Sequence, residues 1–219
     1  MKKMKDEKTI SVIIAVYNQE KYIGRCLRSL LRQNIDLSQL EIIVVDDGST
    51  DNSAYALQLF DGDIIAVSHE CNKGLPSAVN TGLKNASGKY IVRVDSDDYV
   101  NENFLCILKS YLDFNLSSAA VGCDYFIVDE FENVISRKNS AEDPIACGIM
   151  FRRNAIDDVG LMDEEFHLNE EKEYRNRFEK QFVIDHLCIP LYRYRRHEGN
   201  ITNDLEKMKF YDDMLSQQK

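Results

Sequence analysis

Tryptophan is absent from this 219-residue chain, and proline occurs only three times. There is no low-complexity segment, no internal repeat and no proline-rich linker, so the chain reads as one large domain with room for a substantial core. No CxxC spacing occurs either. The six cysteines, Cys26, Cys71, Cys106, Cys123, Cys147 and Cys188, are scattered singly. That pattern excludes a zinc site and suggests reduced, mostly buried thiols of a cytoplasmic protein. Basic residues are the scarcer sign of charge, 27 against 37 acidic, for a net charge of −10. The balance argues against a nucleic-acid binder or a general binder of anionic membranes. No apolar run approaches a membrane span, so membrane contact is expected to be peripheral at most. The basic N-terminus leads into an apolar run, Ile10 to Val16. That run is short, follows Asp6 and Glu7, and has no small-residue cleavage site, which argues against a signal peptide. Two further absences narrow the chemistry. No G-x-G-x-x-G follows the first apolar run, and no P-loop occurs anywhere.

What the sequence does contain is an alternation of strand and helix patterns. Ile10 to Val16 is continuously apolar, as in a strand covered on both faces of a parallel sheet. From Gln19 to Arg32 the apolar residues Tyr22, Ile23, Cys26, Leu27, Leu30 and Leu31 recur at helical spacing. Glu41 to Val45 reads as a second strand, and Asn52 to Phe60 as a helix capped by Ser49 or Thr50. Ile64 to Ser68 gives a third strand, Leu75 to Ala86 a helix, and Tyr90 to Val94 a fourth strand. This order predicts a doubly wound α/β sheet. Beyond it, Glu102 to Leu112 reads as a helix. Ala119 to Val128 reads as a strand that turns into Val134 to Arg137. Ile145 to Arg152 is expected as a strand, Asn154 to Val159 as a short helix, Gly160 to His167 as a loop and Glu170 to Glu179 as a charged helix. Phe182 to Cys188 is apolar, and Pro190 begins the basic run LYRYRRHEGN. In the tail, residues 201–219, Leu205, Met208, Tyr211 and Leu215 form one helical stripe, suited to packing or to a homodimer contact.

The chemistry concentrates at strand ends. Asp95-Ser96-Asp97-Asp98 places three carboxylates where the fourth strand empties, and adjacent carboxylates repel unless a cation is near. Hard cations with oxygen ligands, Mg²⁺ or Mn²⁺, suit such a cluster and commonly bridge to substrate phosphates. The competing reading is an acidic cap for the helix that begins near Asn101, although one carboxylate suffices for that. In doubly wound sheets ligands lie at the carboxyl ends of strands, so Tyr17, Asp47 and the Asp95 to Asp98 cluster are expected to converge on one crevice.

Taken in order, these residues resemble the family-2 glycosyltransferases of the GT-A fold over roughly residues 9 to 200. The matching motifs are SVIIAVYN (Ser11 to Asn18), IVVDDGSTDNS (Ile43 to Ser53), Asn72-Lys73-Gly74, Asn80, Ala86 to Tyr90, Asp95 to Asp98 and GLMDEEF (Gly160 to Phe166). A lone DxD is weak; this many motifs in order is specific. The resemblance implies a mostly parallel central sheet with flanking helices, a nucleotide-sugar-binding half (1–100) and a less regular acceptor half (101–200). The helical tail (201–219) follows. It implies that Ala15 and Tyr17 border the nucleotide base, that Asp47 hydrogen-bonds it, and that Lys73 lies near the base or diphosphate. Asp46 is expected to brace its turn.

By the same resemblance, Asp95 faces the ribose or the metal, Asp97 is the principal ligand of Mn²⁺ or Mg²⁺, and Asp98 stands behind it or caps a helix. The family's catalytic base belongs to an acidic pair, usually Glu-Asp. Here the pair is Glu170-Glu171, which makes Glu171 the candidate base; the competing reading is a solvated helix face. His197 matches a late histidine that holds the metal or the diphosphate in some members, or it is structural. Its neighbours Arg193, Arg195 and Arg196 form a basic cluster suited to a diphosphate. Arg152 and Arg153 are expected as surface or acceptor-side charges. Lacking tryptophan, the chain cannot carry the QxxRW motif of processive synthases, so transfer of a single sugar is expected. The implied reaction moves a sugar with inversion from a nucleoside diphosphate, UDP being commonest, to a glycan or lipid-linked saccharide. Competing readings are a catalytically silent nucleotide-sugar-binding module and a sugar nucleotidyltransferase, the latter lacking its Gly-rich loop here. A phospho-receiver domain leaves the Asp95 cluster without a purpose.

Overall fold

A computed structural model describes residues 8–166 and 169–200. The strands are β1 (Ile10–Val16), β2 (Leu40–Asp46), β3 (Ile65–Ser68), β4 (Tyr90–Arg93), β5 (Tyr99–Val100), β6 (Ala120–Val128), β7 (Val134–Lys138), β8 (Ile149–Arg152) and β9 (Ile184–Arg195). The helices are α1 (Ile23–Leu31), α2 (Ser53–Gln58), α3 (Leu75–Asn85), α4 (Phe104–Phe114), α5 (Arg153–Val159) and α6 (Glu170–Glu179). All nine strands among the described residues join one sheet in the order β3-β2-β1-β4-β8-β6-β9-β5, with β7 pairing β6 off that path. The first four in that order run parallel. From β8 onward the sheet is mixed: β8 lies antiparallel to β4 and β6, while β9 runs parallel to β6. The two expected halves thus share one continuous sheet.

The alternation of a strand decides which layer each residue joins. Ile10, Val12, Ile14 and Val16 of β1, with Leu40, Ile42 and Val44 of β2, pack with α1 and α4 through Ile23, Leu27, Leu30, Phe104, Leu105 and Leu108. The intervening Ile13, Ile43 and Val45 face the opposite layer, where α3 contributes Ala78 and Leu83. Covering both faces is what makes these strands read as unbroken apolar runs. Each fully buried Val, Leu or Ile contributes about 1.5–3 kcal/mol. The contact of α3 with β1 is close enough to require a glycine: a Cβ on Gly82 would lie 2.4 Å from Ile13 Cγ2. A third cluster, Ala120, Ile149, Ala155, Tyr174 and Phe178, seats α5 and α6 on the second half of the sheet.

Several expectations shift at this level. Neither Ser49 nor Thr50 caps α2; Asn52 holds the cap position, and Asp51 accepts from Ser53 N. β8 starts at Ile149 because Gly148, at φ 75°, breaks the extended run before it. The apolar segment from Ile184 and the run 190–195 belong together in β9, which continues through Pro190 because a register shift between Cys123 and Asp124 of β6 absorbs the disruption. Arg152 and Arg153 are not surface charges. Arg152 donates to Ser118 O and Leu112 O, tying α4 and the loop after it to β8, and Arg153 donates to Gly88 O, tying the turn before β4 to α5. The tail stripe lies outside the described residues. No helix among those residues is long and apolar enough to cross a membrane.

Candidate active site

The carboxyl ends of β1, β2 and β4 open onto a crevice of about 930 Å³. Its lining includes Ala15, Tyr17, Asp47, Asp95, Asp97, Glu170, Glu171 and Arg196. The crevice therefore brings together residues separated by up to 185 positions in the chain, from Ala15 to Asn200.

At one end, the loops after β1 and β2 are stitched together. Asn18, at φ 53°, accepts from Thr50 N (2.8 Å) and Asp51 N (3.3 Å), while Ser49 Oγ accepts from Asn18 N (3.0 Å). Asp46 Oδ1 accepts from Ser49 N, which fits its expected bracing of the turn. Gly48 takes φ 71° with the backbone of Cys71 so near that a Cβ would lie 2.6 Å from its carbonyl carbon. That close approach brings the 72–74 loop to Asp47, whose carboxylate accepts from Lys73 N (3.0 Å), Gly74 N (2.8 Å) and the His69 ring (2.6 Å). His69 Nε2 lies 2.9 Å from Thr81 Oγ1 on α3. Three donors fix Asp47 as an acceptor at the crevice wall, and Tyr17 stands beside it, 45% exposed. Lys73 serves this end through its backbone; its side chain is exposed and is not part of the lining.

The other end is acidic. Arg93 Nε donates to Asp95 Oδ1 (2.7 Å), and its Nη1 donates to Glu170 Oε1 (3.2 Å). Tyr192, fully buried, accepts from Asp95 N (3.1 Å) and donates to Asp98 Oδ2 (2.8 Å), while Arg195 N donates to Asp98 Oδ1 (2.7 Å). Asp98 is thus a buried anchor joining the acidic turn to β9. It does not cap α4, whose cap position is Asn103. Burial pushes its carboxyl well above the usual range, and the nearby Asp97 and Asp95 add to the rise. His197 Nε2 lies 3.0 Å from Asp97 Oδ2, and Asn200 Nδ2 donates to the same oxygen at 3.3 Å. The His197 ring packs on Tyr22 with centroids 4.6 Å apart.

The basic cluster does not reach the crevice as a unit. β9 alternates its sides, so Arg193 and Arg195 point away from the face that carries Tyr194 and Arg196. Arg195 is 3% exposed and donates to Asp97 O, Glu130 O and Glu132, between the Tyr22 and Tyr99 rings. Arg193 donates to Pro190 O and packs over Phe126. Arg196 alone of the three lines the crevice.

The acidic pair opens α6. Glu170 is 4% exposed and bound to Arg93; burial pushes it up to about 7 against the pull of Arg93, and Glu171 adds to the rise. Glu171 is half-buried on the crevice wall, and among the described residues no side chain holds its carboxylate. The loop leading to α6 is clamped by Asn80, which donates to Met162 O and Glu164 and accepts from Met162 N. Two separate sequence motifs, Asn80 and GLMDEEF, are therefore the two sides of one contact.

Two donor sets are candidates for a cation. Asp95, Asp98 and Cys147 offer atoms within 4.8 Å of one another. Burial pushes the Cys147 thiol well up, with Asp95 and Asp98 adding to the rise, and the thiol donates toward Asp98. A buried, protonated soft donor does not suit Mn²⁺ or Mg²⁺. Asp95 and Asp97 on the crevice wall, with the His197 imidazole at Asp97, supply the hard oxygen-rich set that such ions take.

Sequence reading missed Asn18, His69, Arg93 and Tyr192. Arg93 was visible as a charge ending an apolar strand just before an acidic cluster, and Asn18 as a residue type that tolerates φ > 0. Nothing local marked His69 or Tyr192.

Comparison with known proteins agrees with this architecture. The model of Glycosyl transferase family 2 matches residues 11–194. The glycosyltransferase GlyA of Streptococcus pneumoniae is 39% identical over 128 residues, covering 57% of this chain and 18% of that protein. A crystal structure of Staphylococcus aureus TarS, residues 1–349 in complex with UDP, superposes with a TM-score of 0.75 at 24% identity, over 86% of this chain and 60% of that one. The mannosyltransferase PcManGT of Pyrobaculum calidifontis, in complex with GDP-Man and Mn²⁺, superposes with a TM-score of 0.67 at 19% identity, over 85% and 56%. The chain spans well under half the length of the curated relatives it matches.

Proposed function

The chain belongs to glycosyl transferase family 2, and on that premise we propose that it transfers a single sugar, with inversion, from a nucleoside diphosphate sugar to an acceptor hydroxyl. The observation that carries the reading is that Asp97 and Glu171 line the same crevice as Tyr17 and Asp47. UDP is the favoured donor nucleotide. Asp47 presents only acceptor oxygens, which pair with the N–H edge of uracil, and the exposed Tyr17 ring offers a stacking face. The acceptor is a glycan or a lipid-linked saccharide.

In this mechanism Asp47 and Tyr17 orient the base, and Asp95 and Asp97 would hold Mn²⁺ or Mg²⁺, with His197 at Asp97. When bound, that ion offsets the charge developing on the leaving diphosphate. Arg196 stands on the same wall and adds a second positive charge. On the opposite side Glu171 accepts the proton of the acceptor hydroxyl as its oxygen bonds to the anomeric carbon and the carbon–phosphate-oxygen bond breaks. Glu170, committed to Arg93, anchors the first turn of α6 and leaves Glu171 as the carboxylate of the pair that Arg93 does not hold.

Replacing Glu171 by Gln tests the assignment. General-base assistance is commonly worth about 10²–10⁴-fold, so E171Q is expected to lose turnover by that factor while binding UDP as the wild type does. Wild-type turnover in E171Q refutes the assignment.

A further inference from the structure

Arg93 joins the two acidic stations of the crevice, and the proposed chemistry uses it only as the partner of Glu170. It ends β4, its side chain is 10% exposed, and its guanidinium divides itself between Asp95 at 2.7 Å and Glu170 at 3.2 Å. Asp95 belongs to the donor side; Glu170 is the first residue of α6 and the neighbour of Glu171. Arg93 also lines a small, mostly apolar pocket beside the crevice, with Ile149, Phe151, Tyr174 and Phe178. A planar fork spans two carboxylates in a way an ammonium does not.

We propose that Arg93 is a positioning residue: its one guanidinium fixes the Glu170–Glu171 turn of α6 against Asp95, so that acceptor activation stays in register with the bound donor. The inference rests on the glycosyltransferase reading. It goes beyond that reading by assigning the register to a residue that touches neither sugar nor base. A misplacement of about 1 Å between reacting groups costs about 10²-fold in rate, and this is the loss expected when the brace is removed without disturbing either station alone.

The test compares the wild type with R93M and R93K by three readouts: UDP binding in Mn²⁺, UDP release from UDP-GlcNAc, and amide exchange over the first turn of α6. R93M is expected to bind UDP within about threefold of the wild type, to lose about 10²-fold in kcat, and to exchange faster at the start of α6. Adding UDP and Mn²⁺ should slow that exchange in the wild type and leave it fast in R93M. R93K should recover about tenfold of the lost kcat by holding one carboxylate. Equal α6 exchange in wild type and R93M overturns the proposal, whatever the turnover. So does a loss of UDP binding in R93M as large as the loss in kcat, because Arg93 would then serve the donor alone. Failure of the wild type to bind any nucleotide defeats the glycosyltransferase reading itself, and this inference falls with it.

Discussion

Replacing Tyr192 by Phe removes a single oxygen from the centre of the acidic turn. That hydroxyl accepts from Asp95 N at 3.1 Å and donates to Asp98 Oδ2 at 2.8 Å, with Tyr192 itself fully buried. The ring remains to pack on Phe104, whose centroid lies 6.0 Å away, so no cavity larger than the oxygen forms. The cost is two polar groups left short of a partner. Asp98 keeps Arg195 N and the Cys147 thiol, while Asp95 N loses its partner. At about 1–3 kcal/mol for each unsatisfied buried group, and with Asp98 only partly deprived, the loss should come to about 2–4 kcal/mol. For a domain of this size a loss of 1 kcal/mol lowers Tm by about 2–4 °C, so Y192F should melt roughly 4–16 °C below the wild type. Thermal and urea unfolding followed by circular dichroism measure it, with Y17F as the exposed control. A Y192F protein within about 0.5 kcal/mol of the wild type would refute the view that Tyr192 and Asp98 hold the acidic turn.

Three further perturbations read other parts of the structure. Gly82→Ala forces a methyl to 2.4 Å from Ile13 Cγ2 and should cost about 1–3 kcal/mol of overpacking in urea unfolding; an unchanged midpoint would contradict the α3–β1 packing. Asp113, with Lys109 at 2.7 Å and bonded to Tyr90 Oη, is lowered from 3.8 to about 2 despite the opposing effect of its burial. Its stabilisation is present above about pH 4 and is lost as pH falls through about 2, so D113N should show a shallower loss of stability across that window. Glu170 is raised from 4.5 to about 7, chiefly by burial. Its contribution is full below pH 4.5 and fades as pH rises through 7, and E170Q should flatten that slope; an unaltered slope assigns it elsewhere.

The parallel half of the fold was legible because burial on both faces writes itself as apolar runs, and β1, α3 and β4 fall within a residue or two of their predicted limits. The mixed half was harder to read. β9 passes through Pro190 because its pairing with the distant β6 shifts register there, and β8 is cut short by the positive φ of Gly148. In the candidate site, the strand-end carboxylates Asp47, Asp95 and Asp97 were visible because polar residues after an apolar strand have few structural uses. The side chains that hold them were not. Tyr192 is 97 residues from Asp95, His69 is 22 from Asp47, and Arg93 reaches Glu170 across 77. The Arg193 to Arg196 cluster misled for a related reason: nearness in sequence along a strand places alternate residues on opposite faces.

The central claim is that the crevice holds a nucleoside diphosphate with a cation at Asp97. Its most direct test is calorimetric titration of UDP, GDP, CDP and dTDP into the wild type and D97N, each in Mn²⁺ and in EDTA. Tight UDP binding to the wild type is expected in Mn²⁺, weakened at least tenfold by EDTA or by D97N, with weaker binding of CDP, whose base offers Asp47 no ring N–H. Equal binding with and without the ion, or no binding of any nucleotide, would contradict it.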